Sequence, residues 1–178
     1  MRLGRTLIDA ETLRAGVVRL ASEVDRDQKG RPATLVGILK GSIFFLCDLV
    51  RMLQTPVTLD FLQVSSYGSG TESSGNVRLL RDLSVDVAGR DVVIVEDIVD
   101  TGRTLQKIVA LLSTRKPRSV RLCALLKKKI PGNEGIQPDY LGFEIENHFV
   151  VGYGLDYAEA YRNLPYIAIL EPDEDGKR

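Results

Sequence analysis

Apolar residues follow one another without alternation in two stretches of the chain, ATLVGIL at 33–39 and DVVIV at 91–95. Continuous runs of strand length are what a sheet covered on both faces requires, whereas a half-exposed strand alternates. Further strands are predicted at 57–65, 77–80 and 119–126, with short ones at 140–145, 149–151 and 166–170. Between them the period changes to that of a helix. Leu13, Val17, Leu20 and Ala21 share one face of a helix over residues 9–27, with Asp9 placed to cap it and Lys29-Gly30-Arg31-Pro32 ending it. A second helix is expected over 43–54, with its apolar side facing either the core or a partner. In a third, Leu105, Ile108, Val109 and Leu112 recur at helical spacing up to Pro117 and read as core. The Gly/Ser-rich stretch SYGSGTESSGN at 66–76 breaks the pattern and is expected to be a mobile lid or excursion, and the charged segment 171–178 a disordered tail. Strands and helices that alternate in this way predict an α/β fold with a mostly parallel central sheet flanked by helices, whose ligands bind beyond the carboxyl ends of the strands.

Composition narrows the partners. The 178 residues carry 24 Lys+Arg and 24 Asp+Glu, a formal charge of zero, so no bulk attraction toward nucleic acid or an anionic membrane is built in. Any anionic ligand must be caught locally. A length of 178 residues suits one domain. The start, MRLGRTLIDAETL, lacks the apolar core of a signal peptide, and no run is long enough to span a bilayer, which predicts a soluble, cytoplasmic protein. Cys47 and Cys123 lie in apolar runs without metal-ligand spacing and are expected to be free, buried thiols in a reducing compartment.

The chemistry concentrates where the strand at 91–95 gives way to Glu96-Asp97-Ile98-Val99-Asp100-Thr101-Gly102-Arg103-Thr104. Small residues, hydroxyls and free backbone N–H groups at a helix N-terminus suit a phosphate. There is no G-x-x-x-x-G-K-[ST] loop, and the near miss to G-x-G-x-x-G at Gly68 and Gly70 has Ser73 at its third position, so neither an ordinary NTPase nor a dinucleotide-binding dehydrogenase fits. The Glu96-Asp97 pair would repel a phosphate that it faced. These carboxylates instead accept hydrogen bonds from sugar hydroxyls or face a bound Mg²⁺, which makes a sugar phosphate the better ligand. Lys127-Lys128-Lys129 follows a strand, and at least one of the three is expected to be plain solvated charge. Asp60 reads as an edge-strand charge or a subunit contact.

VVIVEDIVDTGRTL resembles the phosphoribosyl-pyrophosphate (PRPP) motif of the type I phosphoribosyltransferases, and ATLVGILKGS, KKKIPGNEGIQPDYLGFEIENHFVVGYGLDY and GYGLDYAEAYRNLP are similar to the hypoxanthine-guanine branch of that family. The resemblance implies one domain with a core at about 33–130 and a small hood built from about 1–8 and 138–170. It implies Mg²⁺-dependent transfer of phosphoribose from PRPP to N9 of hypoxanthine or guanine, by a homodimer or homotetramer that binds no nucleic acid or membrane. It also distributes roles. Asp100, Thr101, Gly102, Arg103 and Thr104 would hold the 5′-phosphate, and Glu96 and Asp97 the ribose hydroxyls. Lys40 and Gly41, presented through a non-proline cis peptide, would meet the pyrophosphate together with Arg162. Ser66 and Tyr67 would head the closing loop. Ile98, Lys128, Phe149, Val150 and Asp156 would surround the purine, with Asp156 also binding Mg²⁺ and Asp100, beside Lys128, acting as general base. His148 has no role in that pattern and is placed on the rim. Two alternatives stand beside this expectation: a nucleotide-sensing regulator on the same fold, and a phosphoribosyltransferase for another base.

Overall fold

A computed structural model describes residues 1–66, 77–131, 133 and 135–173. Its elements run β1 (Arg2–Ile8), α1 (Ala10–Gln28), β2 (Ala33–Leu39), α2 (Ile43–Met52), β3 (Val57–Ser66), β4 (Val77–Arg81), β5 (Asp91–Val99), α3 (Arg103–Ser113), β6 (Ser119–Lys128), β7 (Tyr140–Ile145), β8 (Val150–Val151) and β9 (Ile167–Glu171). The large sheet has the order β4-β3-β2-β5-β6-β7. Its strands are parallel except β4, which runs antiparallel on the edge beside β3. The unalternating runs lie at its centre because both faces are covered: on β5, Val93 and Val95 join the cluster under α1 and α2, while Val92 and Ile94 join the one under α3.

The helices start and stop for local reasons. Asp9 caps α1 by accepting from the Thr12 N–H at 2.7 Å, and Lys29 ends it in the left-handed conformation. Leu13, Val17, Leu20 and Ala21 are buried as expected. Helix α2 buries Phe45, Leu46 and Leu49 yet leaves Ile43, Phe44 and Met52 exposed, so it has two apolar sides. In α3, Leu105, Ile108 and Leu112 are buried, with Val109 packed beside them.

A second sheet, β1-β9-β8, is antiparallel and caps the carboxyl-end side of the molecule. Residues 2–8, given no element of their own by the hydrophobic pattern, are its edge strand. Residues 140–145, expected to belong to the hood, instead form the sixth strand of the large sheet, where β7 pairs with β6. Glu171, expected to open a disordered tail, still pairs with Arg2 in β9, and 174–178 lie outside the described residues.

Two further expectations are corrected. Cys123 is buried, but Cys47 is exposed, because it shares the outer side of α2 with Phe44 three residues before it. Asp60 is neither a surface charge nor a contact residue: it is 2% exposed. Its carboxylate accepts from the backbone N–H groups of Phe61, Ser84 and Val85 at 2.8, 2.6 and 2.9 Å. It thereby ties the segment after β4 to β3, and a sequence pattern cannot display a partner 24 residues away.

Candidate active site

The parallel strands deliver their carboxyl ends to one edge, and a cleft of about 340 Å³ opens there beneath the second sheet. It is lined by Ile38, Leu39, Lys40 and Gly41 from the end of β2, by Glu96, Asp97, Ile98 and Asp100 from the end of β5, and by Lys128 from β6. Phe149, Val150, Leu155, Asp156 and Arg162 close it from the side of the small sheet. Strand β5 runs four residues beyond the 91–95 of the hydrophobic pattern, so Glu96 and Asp97 project from a paired strand rather than a loop. The hydrogen-bond ladder to β6 continues through them, which hydrophobicity alone does not reveal.

Both carboxyls are held in unfavourable surroundings. Burial, and then the neighbouring charge of Asp97, push the Glu96 carboxyl well above its ordinary range. Its Oε2 is fully buried without a hydrogen-bond partner in the described structure. Burial raises Asp97 to about 6, against a hydrogen bond from the Ile98 N–H at 2.8 Å. Buried carboxylate oxygens without partners are costly on their own and fit hydroxyl donors or a hard cation. The Asp97 carboxylate also explains a glycine. A methyl group on Gly41 would lie 1.7 Å from Asp97 Oδ2, so only a residue without a side chain lets the β2–α2 loop approach β5 this closely. The peptide joining Leu39 to Lys40 in that loop is cis.

Beyond β5 the chain turns at Gly102, in the left-handed conformation at φ 73°, and α3 begins with no side chain capping its first N–H groups among the described residues. The turn at 101–104 does not itself line the cleft. Asp100 does. Its side chain is 54% exposed, and Oδ2 accepts from Lys128 Nζ at 3.2 Å. Of the three lysines, Lys127 is buried and donates to Gln137, Lys129 is half exposed, and Lys128 alone enters the cleft. Asn133, which no motif or spacing singles out, donates from Nδ2 to the Asp100 and Lys128 carbonyls at 3.1 and 2.6 Å and so fixes the two loops together. The signal that could have found it is a polar residue between glycine and acidic neighbours, which is too common to be useful.

The far wall carries Phe149, 48% exposed and edge-on to Tyr157 at 5.8 Å, which excludes a plain core role. Val150 is buried in β8. Asp156, expected to be a metal ligand, has Oδ1 2.7 Å from Arg162 Nη2 and accepts the Glu159 N–H on Oδ2. Arg162 Nη1 donates to the Gly154 carbonyl, and Gly154, at φ 105°, leaves room for the Gly41 carbonyl, which a side chain there would strike. Tyr153 between Gly152 and Gly154 donates its hydroxyl to Asp48 on α2 at 2.6 Å. No group of three or more His, Cys, Asp or Glu among the described residues is arranged to hold a metal. Glu96, Asp97 and Asp156 nevertheless line the same cleft with carboxylate oxygens, the hard donor type that Mg²⁺ takes one or two of when substrate phosphates and water complete its shell. Ser66, the first residue of the lid predicted at 66–76, ends β3, and Tyr67 with the rest of that stretch lies outside the described residues. His148 is half-buried and does not line the cleft. No helix among the described residues is long and apolar enough to cross a membrane.

Comparison with known proteins agrees with this geometry. A family model described as phosphoribosyl transferase domain matches residues 6–158. The hypoxanthine-guanine phosphoribosyltransferase of Mycobacterium avium is 48% identical over 172 residues, covering 93% of this chain and 85% of that protein. The bifunctional protein TilS/HprT of Listeria innocua is 49% identical over 169 residues, and there the chain spans 26% of the relative's length. A crystal structure of a hypoxanthine-guanine phosphoribosyltransferase from Bacillus anthracis superposes with a TM-score of 0.92 at 41% identity, covering 96% of this chain and all of that one. With that family model matched over most of its length and a relative 48% identical across 85% of its own length, the chain belongs to the hypoxanthine-guanine phosphoribosyltransferase family.

Proposed function

We propose that this chain transfers the 5-phosphoribosyl group from PRPP to N9 of hypoxanthine or guanine, giving IMP or GMP and pyrophosphate. One observation carries the reading: the acidic end of β5, the Lys128–Asp100 pair and the Lys40–Arg162 cations all open into a single cleft. At one end Lys128 donates to the purine O6, Phe149 stacks on the ring, Ile98 packs beside it and the Val150 backbone reads its Watson–Crick edge. In the middle Glu96 and Asp97 accept from the ribose hydroxyls, which relieves the orphaned oxygen of Glu96. The N–H groups and hydroxyls of 101–104 hold the 5′-phosphate, with Arg103 at the start of α3.

The bond from ribose C1 to the pyrophosphate oxygen breaks as the bond from C1 to purine N9 forms, with positive charge developing on the ribose ring. Asp100, held in place by Lys128, accepts the proton that the purine loses. Lys40, the Gly41 N–H and Arg162 take up the charge that appears on the leaving oxygens. Asp156 with Glu96 or Asp97 would hold Mg²⁺ from the protein side, and the bound ion would supply further neutralisation of the diphosphate. The predicted lid headed by Ser66 and Tyr67 would keep water from the electron-poor ribose. A homodimer or homotetramer is the expected assembly, with the outer side of α2, bearing Ile43, Phe44 and Met52, as its contact.

The test is a steady-state assay with PRPP, Mg²⁺ and each base. Turnover of hypoxanthine or guanine, and not of adenine, orotate or uracil, is expected. Activity on one of the latter alone would assign a different base, and no turnover of any would remove the reading.

A further inference from the structure

Two cations of the cleft already share an anion within the chain. Lys40 Nζ lies 3.1 and 3.0 Å from the two carboxylate oxygens of Glu159, and Arg162 Nη2 lies 3.4 Å from one of them. The two cations come from opposite walls, the β2–α2 loop and the segment before β9, so the Glu159 carboxylate bridges the cleft mouth. Nothing in the sequence pattern or in the roles given above uses this residue.

The backbone places it against conformational preference. Tyr157 and Ala160 exchange backbone hydrogen bonds at 3.2 and 3.0 Å, which makes Ala158 and Glu159 the central residues of a two-residue hairpin turn. Both have positive φ, 50° and 66°. That turn favours Asn-Gly or Gly-Gly, because a side chain at positive φ crowds the backbone. A glycine at 159 would hold the turn at lower cost, so the carboxylate has a use that outweighs it. The Glu159 N–H donates to Asp156 Oδ2 at 2.9 Å, which aims the turn at Arg162. The Glu159 side chain is 66% exposed and can swing into water without disturbing packing.

We propose that Glu159 is an internal counter-anion of the diphosphate site: its carboxylate holds Lys40 and Arg162 in place before substrate binds, yields them to the diphosphate of PRPP, and retakes them as pyrophosphate leaves. The role rests on the phosphoribosyltransfer reading of the cleft. Arg162 also has Asp156 at 2.7 Å, but Glu159 is the carboxylate that meets both cations, and it offsets the repulsion between them. A carboxylate between them keeps them oriented, and exposed ion pairs are weak enough for a diphosphate to displace it. Glu159 is thus a positioning and affinity-setting residue, and it lowers the grip on pyrophosphate after reaction.

Titration calorimetry of inorganic pyrophosphate in the presence of Mg²⁺, on the full chain, tests this with Glu159→Gln and Glu159→Gly. Loss of the competing charge is expected to tighten pyrophosphate binding by about three- to tenfold in both variants, the scale of one or two exposed ion pairs. The KM for PRPP should fall in step and the KM for the purine stay where it is. A merely structural role would weaken binding instead. Glu159→Gly suits the turn and guards against a folding defect. Unchanged or weaker pyrophosphate affinity in folded variants overturns the counter-anion role alone. If the unmodified protein binds no pyrophosphate and turns over no base, the phosphoribosyltransfer reading fails and this role with it.

Discussion

Asp100 and Lys128 make the most consequential contact between single residues. Their 3.2 Å pair joins the loop after β5 to the end of β6, and Asn133 braces the backbone beneath both. A carboxylate that is half exposed yet tethered by a lysine can meet a purine proton without moving far. Asp100→Asn keeps the shape and removes the base, so turnover should drop by about 10²–10⁴ with PRPP binding largely intact. Stopped-assay rates together with a PRPP titration check this, and an unchanged rate would strip Asp100 of the role. The motif 96–104 was legible as a unit in the sequence because its residues adjoin one another. Asn133 and Glu159 were not, because each acts on a residue far away in the chain.

At the scale of elements, the strands and helices followed the hydrophobic period closely in their interiors and less so at their ends. β5 and β6 run past their apolar stretches because ladder hydrogen bonds to neighbouring strands, rather than hydrophobicity, decide where a strand stops. Asp60 shows the same limit. Although its burial pushes the carboxyl up, the N–H groups of Val85, Phe61 and Ser84 and the Ser84 hydroxyl outweigh that and hold it below the usual 3.8. A depressed carboxyl contributes stability above its unfolded pKa and loses it as pH falls through the folded one. Unfolding free energy should therefore decline as the pH drops below about 4. Asp60→Asn should cost about 2–3 kcal/mol at neutral pH, since it gives up a charged acceptor for several buried donors. It should also flatten the acid limb. Urea denaturation at several pH values measures both, and an equal acid slope in the variant would place the acid sensitivity elsewhere.

At the scale of the whole molecule, the small sheet β1-β9-β8 is assembled from opposite ends of the chain, and the segment 152–162 beside it reaches down to the β2–α2 loop through Gly154 and Glu159. The cleft exists only because these pieces meet. The same α2 that packs Phe45, Leu46 and Leu49 inward turns Ile43, Phe44 and Met52 outward. If that side is the contact between copies, sedimentation should show a species heavier than the 19.7 kDa chain, and Phe44→Glu should reduce it to the monomer. A wild-type monomer would remove the assembly, and an oligomer indifferent to Phe44→Glu would move the contact to another face. By itself the sequence determined the alternation of buried strands with amphipathic helices, the adjacent carboxylates and the small-residue turn at 96–104, and the balanced charge, all of which depend on neighbours along the chain. The tertiary structure alone decided which lysine enters the cleft, why Gly41 has no side chain, where Asp60 is spent, and that a glutamate stands between the two cations. Each of those depends on approaches of a few ångströms between residues tens of positions apart, and local periodicity carries no record of such distances.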